Sequence, residues 1–255
     1  MSGGTERAFG FAWAFYHEVI PLHKEQFAGW ITPLPLSFFK AKRFLDAGCG
    51  IGRNSLWALE AGAASGLAFD YDERTVGVAR RNLAAHPACE VRHLSVYDLV
   101  ADAEFDAVFC IGVLQHLERP ADAVRNLARA LKPGGTLILW AYAREGNEGY
   151  LRWADPLRRL VTSRIHPVLT LALARALTTL LRLRLLLPHG DPYLALLAKR
   201  SFRHTEAMVF DQLLPHIAHY WTKDEMLALA EGLPLRVTRL THTHGMSWTL
   251  LAEKL

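Results

Sequence analysis

The segment Phe44-Leu45-Asp46-Ala47-Gly48-Cys49-Gly50-Ile51-Gly52 is the most restrictive stretch of this chain. A short apolar run ends in an acid. Three glycines at alternate positions then turn the backbone into a stretch with Leu56 and Leu59 at helical spacing. A strand that turns on glycines into a helix buries both parts best as a βα unit of a parallel sheet. The alternation continues: SGLAFD, ending in Asp70, predicts a second strand, and Asp72 is placed to cap a helix from Glu73 to Ala85. VRHLSV, FDAVFCIG and TLILWAYA predict strands three to five, with a helix from Pro120 to Leu131 before the fifth. LRVTRLTHT and SWTLLAEKL predict a closing antiparallel hairpin, and Thr222 with Glu225 makes a capping-box pattern just before it. The expected fold is α/β: a Rossmann-like, doubly wound seven-stranded sheet with a C-terminal antiparallel hairpin, an N-terminal helical lid and a helical insertion after strand five. The expected divisions are 1–40 for the lid, 41–145 with 221–255 for the sheet domain, and 146–220 for the insertion.

In the N-terminal part, Phe9, Trp13, Tyr16 and Ile20 fall at helical spacing and predict a short helix before Pro21; a second is predicted from Lys24 to Ile31. The many aromatics here serve as core, as a lid over a ligand, or as both. A chain of 255 residues, 51% apolar, suffices for one medium domain and is too apolar for disorder. Cys49, Cys89 and Cys110 form no CxxC pair and cannot all be bridged, so a reducing, cytoplasmic setting is expected. MSGGTERAFGFAW lacks the apolar core of a signal peptide, and none is expected. The net charge of +4 raises the question of nucleic acid, but no run of five basic residues supports it.

Glycines let a backbone approach an extended ligand, and a helix N-terminus adds donors and positive potential. Dinucleotide sites carry GxGxxG directly after the strand. Here the order is Asp46-x-Gly48-x-Gly50-x-Gly52, with an acid two residues before the first glycine. An anion there repels a pyrophosphate and suits an ammonium group.

With these residues the sequence resembles the class I S-adenosylmethionine-dependent methyltransferases, over roughly residues 40–145 and 222–255. FLDAGCGIG is similar to the family's first motif, which implies that Asp46, Gly48, Cys49, Gly50 and Gly52 hold the methionine end of S-adenosylmethionine. GLAFD is similar to the second motif, which implies that Asp70, with Tyr71 beside it, receives the ribose hydroxyls. FDAVFCIGVLQHL and LKPGG resemble the signatures of strands four and five. The family often has an acid after strand three for the adenine amino group. Ser95, next to Val96, occupies that place, and the nearest acid is Asp98, so both stand as candidates. Cys110, at the end of strand four, is expected to line the pocket through its backbone, since nothing nearby in sequence would lower its thiol pKa.

Methyl transfer from a sulfonium is an in-line displacement in which the protein aligns an acceptor and, where needed, removes its proton. His116, in VLQHL, resembles a family position near the sulfonium and is a candidate base. Asp211, His216 and His219 lie close together in VFDQLLPHIAHYWT and are further catalytic candidates, with Glu145 and Tyr220 behind them. His216 and His219 would share a helical face, and His242 and His244 a strand face. A metal site built from these is not expected, because Pro215 interrupts the spacing.

Residues 157–187 carry six arginines and no acid, and the arginines break every apolar run well before the ~18 residues of a membrane span. Three roles compete for this stretch: a lid over the acceptor, a basic amphipathic surface touching an anionic membrane, and a contact in a homodimer. Residues 140–220 resemble a bacterial subgroup with such an insertion. The function expected is methyl transfer to a small, hydrophobic acceptor at oxygen or nitrogen. Cyclisation or aminocarboxypropyl transfer from the same cofactor, and methylation of nucleic acid, are the alternatives.

Overall fold

The computed structural model describes Gly10, Trp13, residues 15–187, Leu194, Leu197, Ala198 and residues 200–255. The chain divides into two compact units, residues 17–149 with 217–255 and residues 1–16 with 150–216. In the first, strands β1 (Arg43–Ala47), β2 (Ser65–Asp70), β3 (Cys89–His93), β4 (Phe105–Ile111), β5 (Leu131–Tyr142), β6 (Leu235–Thr243) and β7 (Ser247–Lys254) form one sheet. Its order is β3-β2-β1-β4-β5-β7-β6. The first five strands pair in parallel, and β7 runs antiparallel to both β5 and β6. This is the doubly wound sheet with a C-terminal hairpin that the alternation predicted.

Period-two patterning puts successive residues on opposite faces. Leu45, Leu67, Phe69, Val108, Leu137 and Leu139 point to one face, under α4 (Pro120–Ala130) and α8 (Lys223–Ala228). Phe44, Ala68, Phe109 and Ile138 point to the other, under α2 (Arg53–Glu60) and α3 (Glu73–Asn82). Gly66 exists for this second face: a Cβ there would enter the ring of Phe44. The Asp72 cap and the Thr222–Glu225 capping box both form.

Residues 17–40 belong to this unit. Helix α1 (Leu22–Trp30) and the 3-10 turn Leu36–Phe39 bury Phe27, Ile31 and Phe39, with Phe27 and Phe39 each 5.5 Å from the ring of Phe109. Without them the second face would lack part of its cover, so the division falls at 16/17 rather than at 40/41. Gly10, Trp13 and Phe15 are helical while residues 17–20 are not; Phe9 lies outside the described residues.

The second unit contains most of α5 (Glu148–Leu157), a π-helical turn (Arg158–Thr162), α6 (Pro167–Arg184) and α7 (Phe202–Leu213). Its centre is a buried ion cluster. Arg158 bonds Asp155 through Nε and Nη2 at 3.0 and 2.6 Å, and also donates to the Pro215 carbonyl. Asp155 takes Arg159 on its other oxygen at 2.6 Å. Arg158, one of the six arginines of residues 157–187 for which three roles compete, is a core cation and lies on no exposed face. Residues 214–220 are not helical, so His216 and His219 share no helix face, in keeping with Pro215. His244 lies beyond β6 in the hairpin turn at φ +53°, so it shares no strand face with His242. Among the described residues, no helix is long and apolar enough to cross a membrane.

Candidate functional site

The strand order reverses between β1 and β4, and open α/β sheets bind ligands at the carboxyl ends beside such a switch point. The glycine turn sits there, wired to β2. Gly48 and Cys49 N–H both donate to the Phe69 carbonyl at 2.9 Å, Gly50 N–H donates to Asp70 Oδ2 at 3.0 Å, and Gly52 N–H donates to the Cys49 carbonyl at 2.9 Å. Those four donors are thus spent within the protein. The turn was expected to offer donors to a ligand; at these four positions it offers none, which argues further against a pyrophosphate. Gly48 holds φ +73°, and a Cβ there would overlap Val113, so the turn touches the segment after β4 directly.

Two carboxylates flank the turn. Asp46 is buried, its Oδ2 accepts from Ser55 Oγ at 2.6 Å, and its Oδ1 has no hydrogen-bond partner. Burial pushes its carboxyl up to about 7, with the Ser55 bond opposing and the Asp70 charge adding. Asp70 is half-buried and also raised by burial, although the Asp72 and Gly50 N–H groups donate to it. Asn54 Oδ1 is a further buried, unpartnered acceptor at the start of α2. Acceptors left over beside a raised carboxyl are what a cationic or hydroxyl-rich ligand satisfies.

Tyr71 is exposed beside Asp70, with its ring 6.1 Å from that of His93. Ser95 follows β3, and its Oγ accepts the Tyr97 N–H at 3.2 Å; Val96 is buried and anchored by Asn126, which donates to its carbonyl at 3.0 Å. Asp98 is exposed on a groove of about 450 Å³ that also reaches Arg43 and Ser65, at the opposite ends of β1 and β2. Of the two adenine candidates, Ser95 is the one at the carboxyl edge. Cys49 and Cys110 are buried, and burial pushes both thiols up, so neither serves as a nucleophile.

His116 and His219 form a reciprocal clasp. His116 Nδ1 donates to the Ile217 carbonyl at 2.8 Å, His219 Nε2 donates to the Leu117 carbonyl at 2.9 Å, and His219 N–H donates to the Gln115 carbonyl at 2.8 Å. The clasp sets the tautomers: in neutral His116 the lone pair lies on Nε2, in neutral His219 on Nδ1. Glu145 accepts the Lys223 N–H at 3.0 Å, at the head of α8. Asp211, on α7, and His216 belong to the second unit, where burial, then Arg158 and Arg164, lower the His216 pKa.

Sequence reasoning named Tyr220 but missed Gln115 and the aromatic residues Trp140 and Tyr142 beside it. Gln115 is buried, with neither amide atom hydrogen-bonded, and Trp140 Nε1 is likewise buried and unpartnered. Trp140 stands 5.2 Å from Trp30 and 5.7 Å from Tyr142; Tyr142 lies 6.1 Å from His116 and stacks on Tyr220 at 5.3 Å. This aromatic wall ends β5, beside the segment after β4. Only the unusual density of aromatics in WAY and HYW hinted at it. Among the described residues, no three His, Cys, Asp or Glu side chains are grouped to hold a metal ion.

Residues 45–139 match the family described as Methyltransferase domain. A tRNA U34 carboxymethyltransferase of Methylococcus capsulatus is 36% identical over 48% of this chain and 37% of its own length. A ubiquinone biosynthesis O-methyltransferase of Dechloromonas aromatica is 33% identical over 50% of this chain and 56% of its own. The chain thus spans only part of the curated relatives it matches. In fold it is similar to magnesium protoporphyrin IX methyltransferase of Synechocystis with bound S-adenosylhomocysteine (TM-score 0.57, 16% identity, 91% of this chain and 84% of that one). A Mesorhizobium loti S-adenosylmethionine-dependent methyltransferase aligns at TM-score 0.52 and 18% identity, over 87% of this chain and 94% of that one.

Sheet order and switch-point site therefore define the class I S-adenosylmethionine-dependent methyltransferase fold. Residues 45–139 match the methyltransferase-domain family, and the Synechocystis neighbour of this fold binds S-adenosylhomocysteine. The residues present fit it: the unsatisfied Asp46 Oδ1 suits an ammonium group and the Asp70 carboxylate a ribose diol.

Proposed function

We propose that this protein transfers a methyl group from S-adenosylmethionine to a small, largely apolar and planar acceptor, at oxygen or nitrogen, with release of S-adenosylhomocysteine. The observation that carries the proposal is the contact of Gly48 with Val113, which joins the two-carboxylate turn to the segment bearing Gln115 and His116. When bound, the cofactor supplies a methyl group already activated by a sulfonium charge. The protein's own work is then alignment and proton transfer.

In this reading Asp46 holds the ammonium end, with Gly48, Cys49, Gly50 and Gly52 shaping the turn around it. Asp70 receives the ribose hydroxyls beside Tyr71, and Ser95 with Val96 meets the adenine edge. The wall of Trp30, Trp140, Tyr142 and Tyr220 packs the flat face of the acceptor. The Gln115 amide, able both to donate and to accept, binds its polar edge. His116 Nε2 takes the proton that the acceptor oxygen or nitrogen loses as it gains the methyl group; the clasp to Ile217 holds the imidazole in that tautomer. His219 acts through the same clasp as a positioning residue. Asp211 and His216 belong to the helical unit and take no part in this reading.

The test is titration calorimetry with S-adenosylmethionine and S-adenosylhomocysteine, followed by mass spectrometry after incubation with a panel of phenols and heteroaromatic amines. Cofactor binding and S-adenosylhomocysteine formed only with an acceptor support the reading. Methylthioadenosine as product would move the protein to cyclisation or aminocarboxypropyl transfer. Turnover on RNA, with none on small acceptors, would move it to nucleic acid.

A further inference from the structure

The helical unit turns one of its helices inside out. A helix on a water-soluble domain normally buries its leucines and shows polar residues to solvent. Helix α6 does much of the reverse. It buries Thr170, Ala174 and Thr178, and Thr178 Oγ1 has no partner there. It exposes Val168, Leu169, Leu177, Leu180 and Leu183, and Leu186 and Leu187 continue the face past its end. At 3.6 residues per turn, the exposed apolar positions cover about half of the helix circumference. Leu180 is 63% and Leu186 80% exposed; elsewhere in the unit, Leu160 and Val161 are exposed and Trp153 is 74% exposed. Isolated exposed leucines need no explanation, but a face of them does.

The charge of the segment that carries this face is one-sided, although Arg175 of α6 is paired with Glu206 of α7 at 2.7 Å. Residues 150–187 contain seven arginines and a single carboxylate, Asp155, which is buried between Arg158 and Arg159. Arg152, Arg159, Arg164 and Arg184 are exposed, and Arg152 lies over the ring of Trp153 at 5.2 Å. A second copy of this chain is a poor match for such a face: a two-fold interface sets a patch against itself, here arginine against arginine. Nucleic acid matches the arginines but leaves the leucines in water. Anionic lipid matches both, taking leucine and tryptophan side chains below the headgroups and arginines among the phosphates.

We propose that the face of α6, with the exposed Trp153 and arginines of the same unit, is a peripheral docking surface for an anionic phospholipid membrane. The proposal is independent of the reaction assigned to the other unit. Insertion is shallow, since no described helix is long and apolar enough to span.

The test is co-sedimentation of the whole chain with vesicles of equimolar phosphatidylglycerol and phosphatidylcholine, and with phosphatidylcholine alone. Binding is expected to the first and to be at least about tenfold weaker to the second. It is expected to fall as ionic strength rises from about 0.1 M to about 1 M. The variant Leu169→Ser/Leu180→Ser/Leu183→Ser is expected to lose at least about tenfold in vesicle affinity. Its helical circular dichroism and its S-adenosylmethionine affinity should stay as in the wild type, which separates loss of docking from loss of fold. Equal binding to both vesicle types, or none to either, overturns the proposal. So does a concentration-dependent dimer in sedimentation equilibrium that disappears in the variant while vesicles bind neither protein. In that case the face is a homotypic interface.

Discussion

In the proposed function, Asp46 is the residue whose state most directly reports the ligand. Its carboxyl is raised to about 7 by burial, well above its value of 3.8 in an unfolded chain. A group raised on folding favours the native state while protonated. Its contribution is therefore full below about pH 4 and lost as pH rises to about 7, by at most about 4 kcal/mol. An ammonium ligand reverses the preference by stabilising the anion. S-adenosylmethionine affinity is thus expected to rise between about pH 6 and about pH 8, with proton release seen as buffer-dependent calorimetric heats. Asp46→Asn should abolish that pH dependence, weaken binding, and raise the melting temperature of the ligand-free protein more at about pH 8 than at about pH 5. Asp70→Ala is expected to lower cofactor affinity at least about a hundredfold, through two lost hydrogen bonds to a charged acceptor; unchanged affinity would remove Asp70 from the ribose site. Gln115→Leu should leave the melting temperature equal or higher, since the amide has no partner to lose. Its effect should appear in the acceptor KM instead. His116→Ala should cut turnover by about a hundredfold or more with cofactor affinity intact.

At the scale of the element, the glycine turn depends on its neighbour across the switch point as much as on itself. Gly48→Ala meets two obstacles, a φ of +73° and the side chain of Val113. It is expected to destabilise the protein by about 1–3 kcal/mol and to displace the segment carrying Gln115 and His116. Val113→Ala should recover part of that loss in the double variant, leaving the share due to φ. A double-mutant cycle in urea measures the coupling, and strict additivity would show that the turn and the segment do not press on each other. The turn was legible in the sequence because glycine spacing and a preceding acid are local signals. Its wiring was not, since the bonds of Gly48, Cys49 and Gly50 to Phe69 and Asp70 join residues 20 to 21 positions apart. The same limit applies to His216 and His219: three residues apart in sequence, they lie in different units because the chain is not helical between them.

For the whole molecule, the two units rest on different physics. The sheet unit is held by two apolar layers, whereas the small apolar cluster of the helical unit, centred on Ala174, Phe210 and Leu214, is supported by the Asp155–Arg158–Arg159 cluster. Asp155→Ala leaves a buried guanidinium without its carboxylate and should cost about 3–5 kcal/mol, read as early loss of helical signal on heating. Replacing both partners, as Asp155→Leu/Arg158→Met, should restore most of it. If the single variant melts like the wild type, the cluster is not what holds that unit. The strand-helix alternation, the closing hairpin, the caps at Asp72 and Thr222 and the two carboxylates that flank the glycine turn were all determined by the sequence alone. Each depends on periodicity or on residues a few positions apart, which the chain carries wherever it folds. What only the tertiary structure decided is which groups end up without partners: Asp46 Oδ1, the Gln115 amide, Trp140 Nε1 and the exposed leucines of α6. Burial and satisfaction are properties of a packed neighbourhood assembled from distant segments, so no local pattern records them.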